Sequence, residues 1–298
     1  MIKRPSDNNN YPQDQELTEI LSLLKRNRLR PKKRLGQTFL FKKYIAEEIV
    51  RLADITRQDI VVEIGAGLGV LTRPLAERAE SVIALEYDTA LVSLLQKIIA
   101  NKNVEIIRAD ALHYGYEKLF AQHKRKLKII GNLPYYITSP LLFKLLELKS
   151  IIDEVTVMMQ KEVADRVVSQ PKKKEYGTIS IFSQLHFDIS KELTVVKDCF
   201  YPEPKVDSEV VKFTARSIPL AEVKNERLFE KVIRTTFSNR RKTLLNSIKG
   251  ANYFNLDKKK ILIAFEHSGI DPQRRPETLT ISEFSTLCNT IHVLAKNL

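Results

Sequence analysis

Through the first two thirds of the chain, apolar residues fall into two alternating patterns. Short runs rich in Val, Ile and Leu occur at 60–64, 81–86, 104–109, 127–130 and 154–159, and several end at a glycine or an acid. Continuous apolar runs of this length read as strands buried on both faces. Between them, apolar positions three and four apart predict helices over 43–53, 70–78, 89–100, 139–148 and 162–169. Strands alternating with helices predict an α/β fold, a mostly parallel sheet with helices on both faces, whose ligands sit at the carboxyl ends of the strands. Residues 177–213 are mixed: a helix or a strand first, then strands around 193–196 and 206–213. Beyond about 217 only helical spacing remains, over 226–237, 241–249, 258–267 and 282–297, with breaks at Pro219 and across 272–276. At the other end, residues 1–30 are polar. Leu17, Ile20, Leu21 and Leu24 stand at helical spacing, but a flexible arm is the expectation. The predicted organisation is an extension over 1–30, an α/β domain over 31–216 and a small helical domain over 217–298.

Composition narrows what such a fold serves. Lys and Arg total 49 against 36 acids, a net charge of +13. That surplus favours a polyanionic partner and salt-sensitive association, and taken alone suits an anionic membrane surface equally well. No apolar run approaches the ~18 residues that would span a bilayer, and no signal peptide is expected. Cys199 and Cys288 lack the paired spacing of a disulfide framework or a structural zinc site. A cytoplasmic, metal-free protein is expected.

The chemistry-bearing residues follow the strands. The run Glu63-Ile64-Gly65-Ala66-Gly67-Leu68-Gly69 leaves a strand and enters a helix. Its glycines suit a closely approaching ligand and a tight strand-to-helix turn about equally. The spacing is G-x-G-x-G, not the G-x-G-x-x-G of dinucleotide sites. Glu86 ends the next strand, where a carboxylate can accept ribose hydroxyls, and Asp110 ends the one after, where it can accept from an adenine amine or cap a helix. Two acids at successive strand ends beside a glycine turn favour an adenosine ligand without a required pyrophosphate. S-adenosylmethionine fits this better than NAD. After the fourth strand comes Asn132-Leu133-Pro134-Tyr135. An adenine amine is a poor nucleophile because its lone pair is delocalised into the ring. The Asn132 side-chain oxygen and the Leu133 carbonyl could accept its hydrogens and favour a tetrahedral nitrogen, Pro134 would stiffen the turn, and Tyr135 could stack on an extruded base. A proline turn with a core tyrosine is the competing reading.

These residues, taken in order, resemble the small-subunit ribosomal RNA adenine dimethyltransferase family. The resemblance runs from about Arg34 to the C-terminus, over 36–40, 62–69, 131–135, 160–163, 176–177, 200–208 and 240–244. It implies a Rossmann-like S-adenosylmethionine-dependent methyltransferase sheet with a small C-terminal helical domain that binds RNA. It implies dimethylation of two adjacent adenosines in a hairpin loop near the 3′ end of small-subunit RNA in an assembling subunit, by a monomer. The candidate cofactor set is Thr38, Leu40, Gly65, Gly67, Glu86, Asp110, Ala111 and Asn132, with Thr38 standing where the family usually has Asn. The resemblance also implies that Phe200 faces Tyr135 across the target base, completing a catalytic set with Asn132, Leu133 and Pro134. Basic residues expected to meet RNA are Arg34, Lys172, Lys205, Arg240, Arg241 and Lys242, although a solvated surface explains each cluster about as well. Two alternatives stand beside this one: a large-subunit RNA adenine methyltransferase of antibiotic-resistance type, and a non-catalytic RNA-binding assembly or transcription factor on the same scaffold.

Overall fold

The computed structural model describes residues 14–249 and 258–296. Helix α1 (Gln15–Arg26) precedes a two-residue strand β1 (Phe39–Leu40) and α2 (Lys43–Leu52). Then come β2 (Ile60–Ile64), α3 (Thr72–Arg78), β3 (Ser81–Glu86), α4 (Thr89–Ile98), β4 (Val104–Arg108) and α5 (Tyr116–His123). The alternation continues through β5 (Leu127–Asn132), α6 (Thr138–Glu147), β6 (Ile152–Gln160), α7 (Lys161–Val168) and α8 (Thr178–His186). Strands β7 (Phe187–Val195), β8 (Phe200–Tyr201) and β9 (Ser208–Ala215) follow. The remaining helices are α9 (Glu226–Ser238), α10 (Leu244–Lys249), α11 (Lys258–Ser268) and α12 (Ile281–Lys296).

Seven strands form one sheet in the order β4-β3-β2-β5-β6-β9-β7. Strands β2 to β6 are mutually parallel and β9 is antiparallel to β6. Strand β2 is the middle one of the five parallel strands, and all five of its residues are buried, which is why its sequence is continuously apolar apart from Glu63. The chain order reverses between β2 and β5, so a crevice opens at their carboxyl ends. Helix α2 covers the sheet with Ile45, Ala46, Ile49 and Val50. Helix α4 starts at Asp88, whose side chain accepts from the Ala90 amide.

The chain divides into two compact units. Of the described residues, one unit comprises 14–164 together with 189–215; the other comprises 165–188, 216–249 and 258–296. The second unit has its own core, in which Tyr176, Ile181 and Leu185 pack with Phe229, Ile233, Phe265 and Phe284. Helix α8 therefore belongs with the C-terminal helices, whereas the sequence pattern placed it in a domain running to 216. The chain leaves the sheet, supplies α8 and returns, and a boundary drawn at a single point cannot represent that.

Two expectations need correction. A flexible arm does not describe residues 15–26: Ile20 and Leu24 of α1 are buried against Phe39, Phe41, Leu68, Leu91 and Leu94. Asp14 and Glu16 pair with Lys42, and Glu19 pairs with Lys43. The helical spacing of Leu17, Ile20 and Leu24 marked a real apolar face whose partners come from distant segments. Residues 1–13 of the expected arm lie outside the described residues. The second correction is α5, which the sequence reading passed over; only Tyr116 and Leu119 of it are buried, too few to make a period.

Candidate active site

A cavity of about 320 Å³ opens at the carboxyl ends of β2, β3, β4 and β5. Every proposed cofactor residue lines it: Thr38 and Leu40 from β1 and its approach, Gly65 and Gly67 after β2, Glu86 at the end of β3, Asp110 and Ala111 after β4, and Asn132 at the end of β5. Leu133, Pro134 and Arg34 line it too.

Each of these positions has a local cause. Gly65 holds φ of +74°, and a Cβ there would stand 3.3 Å from the Asn132 carbonyl oxygen, so a side chain would be strained and would press on the β5 turn. At Gly131 a Cβ would come within 2.4 Å of the Ile64 carbonyl oxygen, which keeps β2 and β5 close beneath the site. Glu86 is 7% exposed. One of its oxygens accepts from the Gly67 amide at 3.0 Å and the other from the Asp88 amide at 2.8 Å. Each oxygen retains a second lone pair for a ligand hydroxyl. Burial raises the Glu86 pKa against these two bonds, with the Asp88 charge adding to the rise. Asp110 accepts from the Leu112 amide at 2.9 Å and faces His113 Nδ1 at 3.0 Å, so it shapes its own turn as well as lining the cavity.

At the Asn-Leu-Pro-Tyr turn, Asn132 Nδ2 donates to the Thr38 carbonyl at 3.1 Å, and the Leu133 amide donates to the Met158 carbonyl at 3.0 Å. With Nδ2 engaged in this way, the Asn132 side-chain oxygen is left as the acceptor of the group. Thr38 takes part through its backbone, so its difference from the usual Asn does not touch this bond. The Pro134 carbonyl accepts from the Ile137 amide and the Thr138 hydroxyl, both at 3.1 Å, which fixes the turn on α6.

Two of the expected catalytic side chains are not on the cavity wall. Tyr135 is half-buried, with its hydroxyl 3.2 Å from that of Ser208. Phe200 is 3% exposed and lies in the core beside Leu40, Met158 and Val210, paired across β1 and β8 with Leu40. In this structure the Phe200 ring, which has no polar atoms, packs into the core. Residues the sequence reading passed over do line the cavity, namely Glu63, Gln37, Tyr87 and Tyr136. Tyr87 and Tyr136 remain about half exposed there. Glu63 is 1% exposed and accepts from the Thr72 hydroxyl at 2.6 Å; burial, with Glu86 adding, pushes its pKa up to about 8. Its place directly before the glycine turn, on a strand reading as central, was the signal for it.

The basic residues divide. Arg34 and Lys205 are exposed in the sheet-containing unit. In the other unit Lys172, Arg241 and Lys242 are exposed. Arg240 is occupied: its guanidinium donates to the Lys174 carbonyl at 2.6 Å and the Lys173 carbonyl at 3.1 Å, and stands 3.8 Å from Glu277. It fixes the 172–174 loop and is less free for phosphate than expected.

The model of the family described as ribosomal RNA adenine dimethylase matches residues 28–292. The chain belongs to the ribosomal RNA adenine dimethylase family. Ribosomal RNA small subunit methyltransferase A of Clostridium botulinum (strain Loch Maree / Type A3) is 42% identical over 261 residues, 87% of this chain and 94% of that protein. The protein of the same name from Syntrophus aciditrophicus is 41% identical over 277 residues, 92% and 99% of the two chains. Among solved structures, a dimethyladenosine transferase from Plasmodium falciparum superimposes with a TM-score of 0.72 at 28% identity, over 83% of this chain and 94% of that one. Membership makes S-adenosyl-L-methionine the cofactor. The residues present fit it: the cavity falls within the ~300–1,000 Å³ typical of small-molecule sites, Gly65 leaves room that a Cβ would fill, and Glu86 offers ionisable oxygens to hydroxyls.

Proposed function

We propose that the chain transfers methyl groups from S-adenosylmethionine to the exocyclic amine of two adjacent adenosines in a hairpin loop near the 3′ end of small-subunit ribosomal RNA. The product is N6,N6-dimethyladenosine, made by a cytoplasmic monomer acting on an assembling subunit. The names of the relatives support the choice of small-subunit over large-subunit RNA. Among the described residues no helix is long and apolar enough to cross a membrane.

The observation that carries the mechanism is the bond from Asn132 Nδ2 to the Thr38 carbonyl. It aims the Asn132 oxygen as an acceptor without any charge. When bound, S-adenosylmethionine supplies an electrophilic methyl group on a sulfonium. The chain's own work is to orient the amine. Asn132 Oδ1 and the Leu133 carbonyl accept its two hydrogens, which draws the nitrogen lone pair out of conjugation. No strong base is needed, because the nitrogen becomes acidic once methylated. Tyr135, its ring held through the contact with Ser208, offers a face for an unstacked base, and a loop adenosine reaches it at least cost. Glu86 holds the cofactor ribose, and Asp110 the adenine amine. Arg34, Lys172, Lys205, Arg241 and Lys242 meet phosphates.

Asn132→Ala tests this reading. The methylation rate at saturating cofactor should fall by about a hundredfold, as on loss of one preorganised polar group, with cofactor affinity changed only a few-fold. An unchanged rate would remove Asn132 from the chemistry.

A further inference from the structure

Asp88 makes more bonds than a helix cap requires. Capping α4 uses one of them, from the Ala90 amide to Oδ1 at 3.0 Å, and Asn, Ser or Thr at that position would serve nearly as well. Yet Asp88 is 6% exposed and fully engaged. Lys32 Nζ stands 2.7 Å from both carboxylate oxygens. Gln37 Nε2 donates to Oδ2 at 3.1 Å, and Gln37 Oε1 accepts from the Lys32 amide at 2.8 Å, closing a ring of three residues. On its other side Asp88 donates its own amide to Glu86 at 2.8 Å.

The surroundings explain why these bonds matter. Gln37 lines the cofactor cavity, and together with Lys32 and Asp88 it also lines a second cavity of about 380 Å³ on the side of Leu24 and Leu29. Gln37 is thus shared by the two cavities, and its hydrogen bonds to Lys32 and Asp88 help to set the position of the polar groups between them. Burial alone would push the Asp88 carboxyl up; Lys32 and Gln37 overcome this and hold it below the usual carboxylate range. The charge of Asp88 in turn bears on Glu86. Lys32 therefore offsets a negative charge that would otherwise press on a buried carboxylate already disfavoured by desolvation.

We infer that Lys32, Gln37 and Asp88 form a positioning network that fixes Glu86 for the cofactor ribose and joins the cofactor site to the basic segment after α1. This rests on the reading of Glu86 as the ribose acceptor. The three act through Glu86 and need not touch the cofactor. Lys32 has a different task from its basic neighbours: its charge is used inward, at Asp88. The docking of α1 on Phe39, Leu68 and Leu91 has a use here, since it holds the segment carrying Lys32 against the site.

Calorimetric titration of the full-length protein with S-adenosylmethionine tests the network. Lys32→Met should weaken binding roughly tenfold, the effect of one charge-assisted hydrogen bond, and should also lower the unfolding temperature, because it leaves the buried Asp88 carboxylate without its counter-charge. Lys32→Arg should restore affinity to within about threefold. Asp88→Asn keeps the cap but removes the charge, and in that background Lys32→Met should have little further effect. Glu86→Gln is the control and should weaken binding more than any of these. If Glu86→Gln loses binding while Lys32→Met binds like the parent, the network only caps α4 and the inference fails with the Glu86 assignment intact. If Glu86→Gln binds like the parent, the Glu86 assignment itself fails and the network has no role in binding.

Discussion

Glu63 shows what it takes to build a cofactor turn on a central strand. Its carboxyl is enclosed on β2 with the Thr72 hydroxyl as its hydrogen-bond donor. Burial holds its proton to about pH 8, whereas the unfolded chain releases it near 4.5. Between those values a rising pH favours the unfolded state, which binds fewer protons, so Glu63 lowers stability progressively across the window and has no such effect below it. Glu63→Gln keeps an acceptor for Thr72 and removes the ionisation. Its stability gain over the parent should be near zero at pH 4.5 and grow toward pH 8, with a slope approaching about 1.4 kcal/mol per pH unit. Denaturant unfolding across that range is the measurement; a gain independent of pH would show that Glu63 is ionised when folded. At this scale the sequence identified residue types well and their partners poorly. Glu86, Asp110 and Asn132 were visible from their places after successive strands. The bond that orients Asn132 joins it to a residue 94 positions away in the chain, and local spacing carries no trace of such a pairing.

Among elements, the strands of the parallel sheet and the helices between them were legible because burial on two faces leaves continuous apolar runs and burial on one leaves a 3.6-residue period. The two-residue strands β1 and β8 were not. Each is too short to have a period, and they find each other only across the fold. That pairing holds Phe200 in the core, whereas the family resemblance places it at the base. Phe200→Ala should now behave as a core truncation, destabilising by about 3–5 kcal/mol and lowering the unfolding temperature. A variant that unfolds like the parent but fails to methylate would return Phe200 to the pocket. In the other unit, Arg240, two residues past α9, ties that helix end to the 172–174 loop. Arg240→Ala should lower the unfolding temperature. Arg241→Ala with Lys242→Ala should leave it unchanged and flatten the salt dependence of RNA binding, by about 0.7–0.9 in slope for each lost phosphate contact. The reverse assignment would show that Arg240 is the phosphate contact.

For the whole molecule, the net charge of +13 pointed to a polyanionic partner before any site was identified, and family membership makes that partner ribosomal RNA. The mostly parallel sheet was implied by the strand–helix alternation. The excursion of residues 165–188 into the helical unit was not, because a chain that leaves one core and returns has no compositional mark at its crossings. An uncharged acceptor set at Asn132 and Leu133 should let the same amine accept two methyl groups from S-adenosylmethionine, at each of two neighbouring adenosines. After the first methylation the nitrogen keeps one hydrogen for these acceptors and a usable lone pair. The direct measurement is mass spectrometry of nuclease digests from unmethylated small-subunit particles treated with the protein and excess S-adenosylmethionine. The account predicts N6,N6-dimethyladenosine at two adjacent positions, with four cofactors consumed per RNA. Monomethyladenosine alone at saturation, or methylation confined to large-subunit RNA, would contradict it.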